Sequence, residues 1–160
     1  MKKVLFNASV LLLSLSLLML YMHLAYSSDT AVPLGIQVDE LDDGILEVEK
    51  YNWNGTLTDQ ITLLKEDMGE TVITQFLLLS IEMKQTFASI LLLILGLFLF
   101  VFISFVSKKL HISNNPLNIP SKIHSGLIIL LLVVYIAVLT KVLLQYYDLI
   151  KETENLMNLL

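Results

Sequence analysis

The sequence predicts an all-α membrane protein with three transmembrane helices, the second and third continuing outward into a small helical ectodomain. Three observations lead there. Long apolar segments lack acidic residues, the charges of opposite sign are segregated along the chain, and apolar residues recur at helical spacing beyond the second segment. Val4 to Ser28 and Gln85 to Ser107 carry no Asp, Glu or Lys, and neither does Ile123 to Thr140, where His124 is the only histidine. A helix needs roughly 20 mostly apolar residues to cross a hydrocarbon core of about 30 Å. Hydrophobic residues make up 56% of the chain and charged residues 16%, whereas a soluble domain carries roughly 25% charged residues.

The first element, residues 1–27, reads as an N-terminal transmembrane helix. Its Met-Lys-Lys start and the Ala25-Tyr26-Ser27 ending also fit a secretory signal. The apolar run to Met22 exceeds the usual h-region and favours an uncleaved anchor. Within this span Asn7, Ser14 and Tyr21 recur every seven residues, as do Ser9, Ser16 and His23. Small polar residues at this spacing suit close helix packing and hydrogen bonds across the interface.

Residues 28–56 form an acidic extracytoplasmic cap. Pro33 and Gly35 oppose a helix, and Asp43-Gly44 suits a hairpin turn within a short β-hairpin at 36–53. A two-residue turn there pairs Leu41 with Leu46 but also Glu40 with Glu47, an unfavourable juxtaposition. An amphipathic helix over 38–50 therefore competes with the hairpin. Asn52-Trp53-Asn54-Gly55 is a turn, and Asn54-Gly55-Thr56 matches a glycosylation acceptor.

Thr56 followed by Asp59 resembles a helix start. Leu57, Ile61, Leu64, Met68, Val72, Phe76, Leu79 and Met83 then recur at steps of three or four. The expectation is a stalk helix over 57–107 that runs unbroken into the second span, with Gly69 as a bend. Residues 108–124 make a short basic loop punctuated by Pro116 and Pro120. Residues 125–160 form the third span with an outward C-terminal extension. Antiparallel pairing of that extension with the stalk buries both apolar faces, with Tyr51 and Trp53 covering one end.

Charge orients these elements. All 15 acidic residues lie between Asp29 and Glu82 or after Ser107, from Asp148 onward, while Lys2, Lys3, Lys108, Lys109 and Lys122 flank the other ends of the spans. Lysines near short loops stay cytoplasmic. The reading is a multi-pass protein of the cell (inner) membrane, with its N-terminus cytoplasmic and residues 28–85 and the C-terminus extracytoplasmic.

Chemistry is sparse. There is no cysteine, which removes disulfides, thiolate metal sites and cysteine nucleophiles. There is no arginine, and the net charge is −5. Together these argue against nucleic-acid binding. The run Asp39, Glu40, Asp42, Asp43, Glu47, Glu49 invites a calcium-loop reading, but Leu41 and Lys50 fail its ligand positions. A solvated acidic face is the simpler account. His23, His111 and His124 lack the partners of a metal site or proton shuttle. No nucleophile–base grouping or phosphate-cradling glycine loop appears, so the chain reads as non-enzymatic, without cofactor, metal or small-molecule substrate.

Lys141 lies in the outer part of the third span, where intramembrane charge is a functional hint but a lysine can also snorkel to the interface. Contact with Glu82 or Asp148 is the expected structural role. Leu64, Met68, Val72 and Phe76 on the stalk, together with Lys141, Glu82 and Trp53, are the candidate interaction residues. Membrane lipid and either a membrane-protein partner or a second copy are the expected partners. The functional expectation is an accessory or regulatory subunit. An immunity or lysis-control (holin- or antiholin-like) protein and a channel or transporter component are the alternatives.

Overall fold

The computed structural model describes residues 2–27, 31–41, 44–64, 69–110 and 120–158. In chain order the elements are α1 (Lys2–Tyr26), β1 (Ile36–Leu41), β2 (Ile45–Tyr51), β3 (Leu57–Leu64), α2 (Glu70–Lys109) and α3 (Ser121–Met157). The fold is mostly helical with a small sheet. All three helices are long and apolar enough to cross a membrane.

Their lengths differ in a way that shapes the molecule. α1, α2 and α3 have 25, 40 and 37 residues, or about 37, 60 and 55 Å at ~1.5 Å per residue. Both neighbours of α2 run antiparallel to it. Leu5 and Phe6 share a groove with Phe102 and Val106, and Tyr21 and Leu24 share another with Ala88 and Leu91. On the other flank the Tyr135 hydroxyl donates to the Leu93 carbonyl, and Thr153 lies beside Met83. One end of the helices therefore gathers Lys3, Lys108 and Lys109, and the opposite end carries the sheet. Among the described residues every acid lies toward the sheet end, which also holds Lys50, Lys84, Lys141 and Lys151, and the other end carries lysine without acids.

The sheet is antiparallel in the order β1-β2-β3. Its inner face presents Ile36 and Val38 from β1, Leu46 and Val48 from β2, and Ile61 and Leu63 from β3, paired Val38↔Val48, Leu46↔Leu63 and Val48↔Ile61. These pack on the parts of α2 and α3 nearest the sheet. The core there comprises Val32, Ile36, Val48, Phe76, Leu79, Met83 and Leu149, with Val72, Phe87, Tyr146 and Ile150 packed against it. Alternation with period two is what a one-sided sheet requires.

Two expectations are corrected. The segment 57–64 is a strand, and the long helix begins at Glu70 after Gly69, whose φ of −61° and ψ of 141° are extended. Leu57, Ile61 and Leu64 satisfy a helical spacing, but Ile61 and Leu63 equally satisfy period two. Thr58, Ile61 and Thr62 are β-branched residues that favour a pleated surface. Pairing with β2 decides between them, so the helix break that Gly69 suggested is complete.

The hairpin exists, one residue out of the expected register. Leu41 pairs with Ile45 and Glu40 with Leu46, and Gly44 has a φ of 77°. A glycine in the left-handed region lengthens the connection, and the expected Glu40–Glu47 pair is replaced by Asp39 facing Glu47, still two acids opposite one another. Asp42 and Asp43 lie outside the described residues.

The packing on Phe76 is directly testable. Phe76→Ala is expected to destabilise the sheet end by about 3–5 kcal/mol, read as accelerated hydrogen exchange of the β1 and β2 amides. Leu64→Asp, at the exposed end of β3, is expected to change stability by no more than about 0.5 kcal/mol. Equal losses from the two substitutions would refute this arrangement.

Candidate functional site

Every apolar residue that the sheet turns inward leaves a polar neighbour turned outward. On the outer face Asp39 pairs across the strands with Glu47, and Gln37 with Glu49, which in turn faces Gln60. The carboxylates share this face with their own donors. Gln37 Nε2 donates to Asp39 Oδ2 at 2.9 Å, Gln60 Nε2 donates to Glu47, and the Tyr51 hydroxyl donates to Glu49. Burial above all, then the hydrogen bond to Glu49 and the charges of Glu49, Asp39 and Glu47, push the Tyr51 phenol up to about 12.

This arrangement replaces the loop that a calcium site beginning at Asp39 needs, because Asp39 and Glu47 stand on adjacent strands. Among the described residues, no group of three or more His, Asp or Glu is placed to hold a metal ion. His111 lies outside the described residues.

A second feature is the corner joining residues 31–35 to the β2–β3 turn. The Asn52 carbonyl accepts from the amides of Leu34 and Gly55, both at 3.1 Å. Its Oδ1 accepts from the amides of Asn54 at 3.1 Å and Thr56 at 3.0 Å. Gly55 takes a φ of 77°. Thr56 is thus a hairpin residue rather than a helix cap. The turn holds Trp53 out from the fold, 75% exposed, which corrects the expectation that Trp53 covers one end of the core. Tyr51 bonds to the outer face instead. Beside it Leu34 has a φ of 56°, a left-handed conformation costing a non-glycine residue about 1–2 kcal/mol, and its side chain is exposed.

The third feature is an open groove of about 720 Å³ between α2 and α3, lined by Glu82, Lys141, Gln145, Asp148 and Glu152 among others. The structure thus brings Lys141 into one groove with Glu82 and Asp148. The other candidates separate. Phe76 is buried and Val72 is half-buried against the core, while Leu64 is exposed on β3. Met68 lies outside the described residues. The apolar residues chosen for a partner are in part the internal core.

The small polar residues of α1 pack against α2 as expected, Ser9 and Ser16 lining grooves between the two helices, but their hydrogen bonds differ. The hydroxyls of Ser9, Ser14 and Ser16 donate to carbonyls four residues back in α1, at 2.9–3.0 Å, so they are satisfied locally rather than across a helix interface. Gly96 does mark a close approach: an added Cβ would lie 3.3 Å from the Tyr135 hydroxyl oxygen.

Sequence reasoning missed the pairing of acids across strands and the exposed Leu34. Once the strands are recognised, acids at 47 and 49 share a face, a signal hidden while the same segment also admitted a helix. Comparison with protein-family models, curated proteins and solved structures returns no match.

Tyr51 provides a probe of the acidic face. The fold favours its neutral phenol, so its contribution to stability is intact below about pH 10 and is lost as pH rises towards 12. In tyrosinate absorbance, the difference between the wild type and Tyr51→Phe is expected to show a late-ionising phenol. Glu49→Gln is expected to move that ionisation only part of the way back towards 10, because burial is the largest cause. An ordinary tyrosine titration at this position would refute the burial of the phenol beside Glu49.

Proposed function

We propose that this chain is a multi-pass membrane protein acting as a non-catalytic accessory or regulatory subunit, which binds other membrane proteins through its spans and its acidic ectodomain. The carrying observation is the outer face of the sheet. Asp39, Glu47 and Glu49 stand there on adjacent strands, directed away from the apolar inner face. The fold thus gathers these half-buried acids on paired strands instead of a loop.

The grouping of Lys3, Lys108 and Lys109 at the end opposite the sheet supports an orientation with that end cytoplasmic. The sheet and its acids are then extracytoplasmic. Complementary charge steers association and selects among partners more than it adds raw affinity, so a partner with a basic extracytoplasmic surface suits this face. The apolar flanks of α1 and α3 that do not pack on α2 offer further contact area within the bilayer.

Two measurements check this reading. Cysteine placed at Asn54 is expected to react with an impermeant thiol reagent on intact cells, whereas cysteine at Leu110 is expected to react only after permeabilisation. The reverse pattern refutes the orientation. A photo-crosslinking residue at Glu47 is expected to capture one defined membrane-protein partner. The double substitution Glu47→Lys, Glu49→Lys is expected to lower recovery of that partner by about tenfold or more, the loss of roughly 1.4 kcal/mol. Undiminished recovery of the partner would remove the acidic face from the interface.

A further inference from the structure

We infer that the corner carrying Leu34 and Trp53 is seated in the headgroup layer of the bilayer, forming with Tyr26 and Tyr147 an aromatic girdle that holds the sheet down on the membrane surface. The inference rests on the proposed membrane placement of the three helices.

Among the described residues, the exposed tyrosine and tryptophan side chains are Tyr26, Trp53 and Tyr147. They come from three different elements, yet the fold brings them to one level. Counting at ~1.5 Å per residue from the lysines at the other end, Tyr26 lies about 34 Å from Lys3 and Tyr147 about 37 Å from Lys122. A hydrocarbon core of about 30 Å with headgroup layers bringing the total to 40–45 Å places both rings just beyond the apolar slab.

Trp53 is tied to that level by two hydrogen bonds in series. The Tyr146 hydroxyl, one residue from Tyr147, donates to the Pro33 carbonyl. The next residue, Leu34, donates its amide to the carbonyl of Asn52, the neighbour of Trp53. The end of α1 is fixed similarly, with Lys84 Nζ 3.5 Å from the Ser27 carbonyl oxygen. The β2–β3 turn is therefore at the membrane-proximal end of the sheet, and β1 and β3 lead away from it.

A lipid surface is the occupant that this chemistry fits. Tryptophan and tyrosine concentrate at the membrane–water interface because each has an apolar ring and a polar tip. Leu34, bonded through its amide to the residue before Trp53, adds an exposed aliphatic side chain on a left-handed backbone. A protein-docking corner would not need to share its level with Tyr26 and Tyr147 on separate helices.

Trp53 is the only tryptophan in the chain, so its fluorescence reports this corner alone. The full chain is reconstituted in phosphatidylcholine–phosphatidylglycerol vesicles containing lipids brominated either near the glycerol or near the acyl terminus. Trp53 is expected to emit to the blue of solvated tryptophan and to be quenched more strongly by the shallow bromines. Leu34→Ser is expected to shift its emission to the red.

A control carries Trp53→Phe together with Leu131→Trp, whose ring is expected to be quenched most by the deep bromines. Failure of that control refutes the membrane-spanning reading itself. A quenched control with solvent-like, unquenched Trp53 overturns the girdle alone. Blue emission from Trp53 without quenching by either lipid assigns the corner to a protein contact and likewise overturns it.

Discussion

The seating of Ile36 and Val48 on Phe76, Leu79, Met83 and Leu149 is the contact on which the rest of the fold depends. A three-stranded sheet with one apolar face has little independent stability in water. Here the missing layer is supplied by α2 and α3, whose 40 and 37 residues exceed the roughly 20 that a membrane crossing requires. The surplus turns are a platform. Because the sheet's apolar residues are committed to that platform, its other face is free to be polar, and the acids, glutamines and Tyr51 occupy it. The tight turns at Gly44 and Gly55 follow from the same constraint, since each strand must return in a register that keeps Leu46, Val48, Ile61 and Leu63 inward.

α2 is a shared wall: α1, α3 and β1 all pack on it. Its side chains change character along its length to suit each neighbour. Phe76, Leu79 and Met83 are bulky where they meet the sheet. Small residues, Ala88 and Gly96, appear where another helix approaches closely. For helices as apolar as these, close fit and polar links give the pairing its specificity. The Tyr135–Leu93 hydrogen bond and the contact of Lys84 with the Ser27 carbonyl are links of that kind.

Much of the architecture was legible in the sequence because hydrophobic length and charge sign are long-range signals. The three apolar segments became three helices, and the acid-free ends carrying lysine became one end of the molecule. Local ambiguity hid the remainder. Leu57, Ile61 and Leu64 fit helical spacing, while Ile61 and Leu63 fit a strand, and only the presence of β2 as a partner resolves the conflict. The shift of one residue in the hairpin depended on Gly44 adopting a positive φ, which the dipeptide Asp43-Gly44 permits without specifying the turn length. Of the candidate site residues, Lys141, Glu82 and Asp148 were legible as lying at similar heights, because heights follow from counting residues along helices, and they line one open groove. The corner of Leu34 and Trp53 was not, because its position depends on hydrogen bonds between residues 113 and 18 apart in sequence.

The core cluster at the sheet end draws no residue from α1. α1 instead lies along α2 through side chains such as Leu24 against Ala88, and grips the rest of the chain near its own C-terminal end. The sheet and the ends of α2 and α3 that support it therefore form one packed unit, and α1 joins the molecule along a separate strip of α2.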